Sequence, residues 1–171
     1  MKNSWYAYLF GALLVLIAGV SIYFLLWRSK AIVDDVVVED VQHLQQIFKK
    51  INDRCGIINF DYQKNLIDFL TVKSFVSSEI GTMNLAYANN WEGPYVQDNP
   101  EIEGKYYQII KTIKGYFITP GDGVKLANGK VIGSDIVLDY NTDIEKLMMD
   151  PTALQSYNKK PLAAKIDVRG A

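Results

Sequence analysis

The chain has 171 residues, of which 49% are hydrophobic and 22% charged, with a formal net charge of −1. That composition excludes a wholly disordered chain, and the lack of a net basic field argues against a nucleic-acid partner. A single Cys and a single His exclude an internal disulfide framework and a zinc site made of those residue types alone.

From Trp5 to Trp27 no Asp, Glu, Lys or Arg occurs. As a helix this run is about 35 Å long, against about 30 Å of bilayer hydrocarbon, so the sequence predicts one transmembrane helix over 5–27 after a short flank, 1–4. Trp5, Tyr6 and Tyr8 near one end, and Tyr23 and Trp27 near the other, fit the two interfaces. Arg28, Ser29 and Lys30 after the run are poor cleavage residues, which favours a retained anchor over a signal peptide. The expected placement is a single pass through an inner membrane, amino terminus cytoplasmic and the remainder, 28–140, periplasmic or extracytoplasmic, with the lipid bilayer as a partner.

After Lys30, apolar residues fall at Val33, Val37, Val41, Leu44, Phe48 and Ile51, in steps of three and four that mark one face of a helix. Asp34, Asp35, Glu39 and Asp40 read as a solvated face. Lys49, Lys50 and Arg54 near the end suit the helix dipole, and Gly56 is placed for a left-handed cap. His43 reads as a surface or boundary histidine and Cys55 as a free, partly buried thiol. The apolar stripe needs a cover from the rest of the chain.

Asp61 is placed to cap a short helix over 62–70, and Ser77 or Ser78 to start another carrying Ile80, Met83 and Leu85. A loop rich in Asn, Gly and Pro follows, anchored by Trp91 and Tyr95. Residues 106–113 and 116–119 read as a hairpin turning at Lys114 and Gly115. The sequence Pro-Gly-Asp-Gly at 120–123 ends it, Asn128-Gly129 marks a turn, and 135–140 reads as a third strand. Residues 143–149 suit a last helical turn or two. The extension 141–171 is otherwise weakly patterned, and from Pro151 onward it reads as a peripheral or loosely ordered tail. The expected fold is α+β: a long transmembrane and amphipathic helix packed on one small antiparallel sheet.

Nucleotide-binding, zinc-protease and nucleophile-elbow motifs are absent. Glu92 and Asp98 near the Trp91 loop are the only acids weighed as a catalytic pair, and exposed loop acids are ordinarily just solvated, so no enzyme is expected. Asp122 and Asp135 flank a Gly- and Asn-bearing loop. They suit either two carboxylate ligands of a calcium ion, completed by carbonyls of Leu126, Asn128 or Lys130, or two turn aspartates bonding local N–H groups.

In the order of its parts the chain resembles the pilin class, most nearly the major pseudopilins of bacterial type II secretion. The residues that carry the resemblance are the apolar helix running into Asp40–Asn52, the loop residues Trp91, Gly93, Pro94 and Tyr95, and Pro120, Gly121, Asp122 and Gly123 followed by Asp135 and Ile136. The resemblance implies a structural subunit of a secretion or pilus-like envelope assembly, oligomeric, joined to other such subunits, with the second motif framing a calcium loop. The sequence departs from that class in lacking a Gly-Phe-type processing junction and any acid between Met1 and Arg28. The alternative role is a membrane-tethered module that binds calcium or another ligand through the Asp122–Asp135 loop.

Overall fold

The computed structural model describes residues 4–169; within its first helix the side chains of residues 4, 7 and 24–31 lie outside the description. Helix α1, Ser4–Cys55, ends at Gly56, whose φ of +63° is the left-handed cap expected there. From Ile32 on, α1 buries the predicted stripe: Val37, Phe48 and Ile51 are fully buried, Val41 and Leu44 nearly so, and Val33 packs partly covered at the upper edge.

The cover is three small antiparallel sheets, where the sequence suggested one. Strands β1 (Ile57–Phe60), β3 (Glu79–Ile80) and β4 (Met83–Leu85) form one sheet in the order β1-β4-β3. Strands β2 (Lys64–Leu66), β7 (Gln108–Thr112), β8 (Gly115–Thr119) and β9 (Ala164–Ile166) form the second, in the order β2-β7-β8-β9. Strands β5 (Glu101–Ile102) and β6 (Lys105–Tyr106) make a two-stranded ribbon. The hairpin β7–β8 is the one read from the sequence, turning at Lys114.

The expected transmembrane helix is not supported. Among the described residues no helix is long and apolar enough to cross a membrane. Trp27, Arg28, Ser29 and Lys30, on which one end of the anchor was read, lie outside the described side chains. The single-pass placement in an inner membrane is withdrawn with the helix it rested on.

Three other expectations change. The helix over 62–70 is replaced by a turn and β2: Asn65, buried, accepts from the Tyr62 N–H at 3.0 Å and donates to the Tyr62 carbonyl at 2.7 Å, which folds the segment too tightly for a helix. Ile80, Met83 and Leu85 lie on strands, because Met83 and Leu85 are two apart and both face the core. Residues 135–140 bury Ile136 and Leu138 but pair only through one isolated bridge, Ile132 with Ile136, so they are an extended segment and not a strand.

The carboxy-terminal segment is no loose tail. Asp143 caps a short helix, α2 (Ile144–Leu147), by accepting from the Lys146 N–H. Beyond it Leu154, Leu162, Ala163, Ala164 and Ile166 are buried, β9 pairs with β8, and Gln45 of α1 donates to the Lys165 carbonyl at 2.9 Å. The alternation of Ala164, Lys165 and Ile166 carries the strand; small alanines hid it.

Candidate functional site

Three places in the head gather the polar residues singled out by the sequence. The first is the loop after β8. Its Asp122 carboxylate accepts from Lys64 Nζ at 3.2 and 2.8 Å and from Gln108 Nε2 at 3.1 Å. Partial burial pushes the Asp122 carboxyl up, but the bonds from Lys64 and Gln108 and the Lys64 charge outweigh it and hold it below the usual carboxylate value. Asp135 turns its Oδ2 to the Val131 N–H at 2.9 Å. Asp135 thus serves its own turn, whereas Asp122 faces an ammonium from β2 and an amide from β7. Among the described residues no three acidic, His or Cys side chains converge to hold a metal ion. A calcium shell needs several oxygens turned to one point, and in this arrangement the oxygens of Asp122 and Asp135 are engaged by Lys64, Gln108 and the Val131 N–H.

The second is the loop of Trp91, Gly93, Pro94 and Tyr95. Trp91 Nε1 donates to the Val72 carbonyl at 3.0 Å, and its ring meets Phe75 and Tyr95 edge-on at 5.4 and 4.7 Å. Gly93 is required here by close approach: a Cβ would lie 2.2 Å from the Val72 carbonyl oxygen. Tyr95 donates its N–H to the Leu70 carbonyl, carries the Lys50 ammonium 5.5 Å above its ring, and sets its hydroxyl beside the Cys55 thiol. Cys55 is fully buried, more so than expected, and burial pushes its thiol up, away from the reactive thiolate. Glu92 pairs with Arg54, and the hollow beside it is lined by Arg54, Asn89, Asn90 and Trp91 with no second carboxylate. Glu92 and Asp98 are therefore not brought together there, and the loop's work is to fasten 86–100 to the end of α1.

The third was missed in the sequence. Of the four acids of α1 read as a solvated face, Glu39 is exposed as expected, and Asp34, Asp35 and Asp40 are ties to the head. Asp34, buried, accepts from the Ala127 N–H at 3.0 Å; Asp35 accepts from the Tyr157 hydroxyl at 2.8 Å; Asp40 accepts from the Tyr107 hydroxyl at 2.7 Å. Burial pushes Asp34 up, opposed by the Ala127 N–H and aided by neighbouring Asp35. Burial also pushes up the Tyr107 phenol, together with its bond to Asp40. Only the position of these acids on the border of the apolar stripe hinted at this. His43 is exposed, as expected of a surface histidine.

What remains without any cover is the first part of α1. Leu9, Phe10, Leu13, Leu14, Val15, Leu16 and Ile17 are each more than half exposed. Comparison with protein-family models, with curated proteins and with solved structures finds no match.

Proposed function

We propose that the chain is a non-enzymatic structural subunit of a pilus-like or secretion-type envelope assembly, joined to neighbouring subunits through the first part of α1 and presenting the α+β head. The observation that carries this reading is the apolar surface of Tyr8–Tyr23, exposed on every side of the helix. Folded proteins rarely leave so large a contiguous apolar patch to water, and such a patch marks an interaction site. The same helix in other copies is the cover this reading names, since helices with small residues such as Gly11, Ala18 and Gly19 allow close approach. In the head, Asp34, Asp35, Asp40 and Asp122 make ties between segments, which suits a rigid displayed body.

The test is site-directed disulfide trapping of the full chain in cells. Leu13→Cys is expected to give a disulfide-linked dimer under mild oxidation. Val76→Cys, at a fully exposed head position, is expected to give none. A Leu13→Cys chain that stays monomeric under the same oxidation removes the reading.

A further inference from the structure

Beside the carboxy-terminal end of α1 two hollows adjoin on the head. One, of about 410 Å³, lies between residues 76–78 and residues 85–90. The other, of about 340 Å³, is the hollow between Arg54 and Trp91 described above. Both fall within the range of about 300–1,000 Å³ that binding clefts occupy. Asn89 and Asn90 line both, so the two are neighbouring compartments of one cleft.

The wall they share is fixed in place. Residues 88–90 form a 3-10 turn, and Tyr87 just before it gives its N–H to the Cys55 carbonyl at 2.8 Å. Asn90 Nδ2 donates to the Arg54 carbonyl at 3.0 Å, which leaves its Oδ1 to accept. Asn89 is exposed and makes no hydrogen bond among the described residues, so its amide keeps both donor and acceptor. Each compartment has an aromatic ring. In the larger it is Tyr87, 54% exposed, with the Arg169 guanidinium 5.3 Å from its centroid; one face is backed by that cation and the other is left for a ligand. In the smaller it is Trp91, pinned by its bond to the Val72 carbonyl.

The charge of the lining narrows the ligand. No charged side chain lines the larger compartment, and in the smaller Arg54 and Glu92 neutralise each other. A nucleotide or an acidic peptide needs an unpaired cation, and the lining holds none. Vicinal hydroxyls suit an amide that donates and accepts side by side. The C–H face of a pyranose ring, slightly positive, suits the negative face of an aromatic ring. Cutting a glycosidic bond ordinarily takes two carboxylates, and only Glu92 lines the cleft.

We propose that this cleft binds a neutral glycan without cleaving it. One pyranose unit stacks on Tyr87, the next lies beside Trp91, and Asn89 bonds hydroxyls between them. The site is separate from the helix surface invoked above and stands or falls without it.

The experiment is binding of the fluorescently labelled full chain to immobilised oligosaccharides, in a polyoxyethylene detergent that carries no sugar headgroup. The probes are neutral hexose chains, neutral N-acetylhexosamine chains and uronic-acid chains. Saturable binding to a neutral chain and none to the uronic-acid chains is expected, and the neutral kind that binds names the glycan. Tyr87→Ala and Asn89→Ala are each expected to weaken binding about tenfold. Tyr87→Phe keeps the ring and is expected to retain it. Both side chains are exposed, and circular dichroism checks that the variants fold. Val137→Ala, exposed elsewhere on the head, is expected to bind as the parent does. No binding to any neutral chain, equal binding to the uronic-acid chains, or full binding by both alanine variants overturns the proposal.

Discussion

The two parts of α1 are made of similar residues and meet opposite fates. From Val37 to Cys55 the apolar side chains are confined to one face, and that face is sealed by β8, β9 and the loops around them. From Tyr8 to Tyr23 they surround the axis, and all of them are exposed. Helical backbone bonds are satisfied internally in both parts, so what differs is the gain from removing side chains from water. A stripe can be covered by one domain; a cylinder cannot, and needs neighbours on several sides.

The comparison can be broken most sharply by equal truncations in the two parts. Phe48→Ala, in the sealed part, is expected to cost about 3–5 kcal/mol of head stability, because it deletes a fully buried ring that meets Phe60 and Phe69 at 6.1 and 6.3 Å. Leu13→Ala, in the exposed part, is expected to leave head stability within about 0.5 kcal/mol. Urea unfolding followed by circular dichroism measures both, and comparable losses at the two sites would erase the distinction.

A smaller effect sharpens how the sealed part is held. Tyr107→Phe keeps the buried ring but removes the hydroxyl that reaches Asp40, and about 1.5–3 kcal/mol should be lost. Asp40→Asn in the Tyr107→Phe background should add little, since the partner is already gone; a double-mutant cycle reads that coupling.

Asp34→Asn is expected to act in the other direction. Folding raises the Asp34 carboxyl above its ordinary 3.8 by burial. Folded Asp34 therefore holds its proton more tightly than unfolded Asp34. Its contribution to stability is most favourable below the unfolded value and is lost as pH rises through the folded one. Asparagine still accepts from the Ala127 N–H and carries no charge to desolvate. It should stabilise the head at pH 7 by on the order of 1 kcal/mol, with the gain vanishing near pH 3. A variant equally shifted at both pH values would show that burial of charge is not the cause.

The smallest expected effect is no effect. With Asp122 held by Lys64 and Gln108, millimolar calcium should leave the melting temperature where it is. A rise with calcium would restore the loop of Asp122 and Asp135 as a cation site.

Much of the sealed half of α1 could be read in advance, because steps of three and four over six residues from Val33 to Ile51 are long enough to fix a face. The β7–β8 hairpin was legible for the same reason: two β-rich runs flank a short turn containing Gly115. The strands of the other sheets were not. β3 and β4 have two and three residues, and Ile80, Met83 and Leu85 satisfy helical and strand spacing about equally over so short a run. β9 hid behind Ala163 and Ala164, whose small side chains give little hydrophobic signal although both are buried. The ties from Asp34, Asp35 and Asp40 were illegible in principle. Their partners Ala127, Tyr157 and Tyr107 lie far along the chain, and only the folded arrangement chooses them. At the Asp122 loop the residues were picked out, but not Lys64, a partner on a strand that the sequence presented as a helix.

The pairing of β9 with β8 has a consequence for how the head is made. Gln45 meets the backbone of Lys165 across 120 positions of chain, so the sheet that seals α1 stays open until Ile166 has left the ribosome. During synthesis Phe117 and Leu44 wait beside an unfilled slot, in the window where an unfinished hydrophobic surface is most exposed to aggregation and to chaperones. The last strand acts as a closing stitch, and any nascent chain halted before it leaves the ribosome without a finished domain.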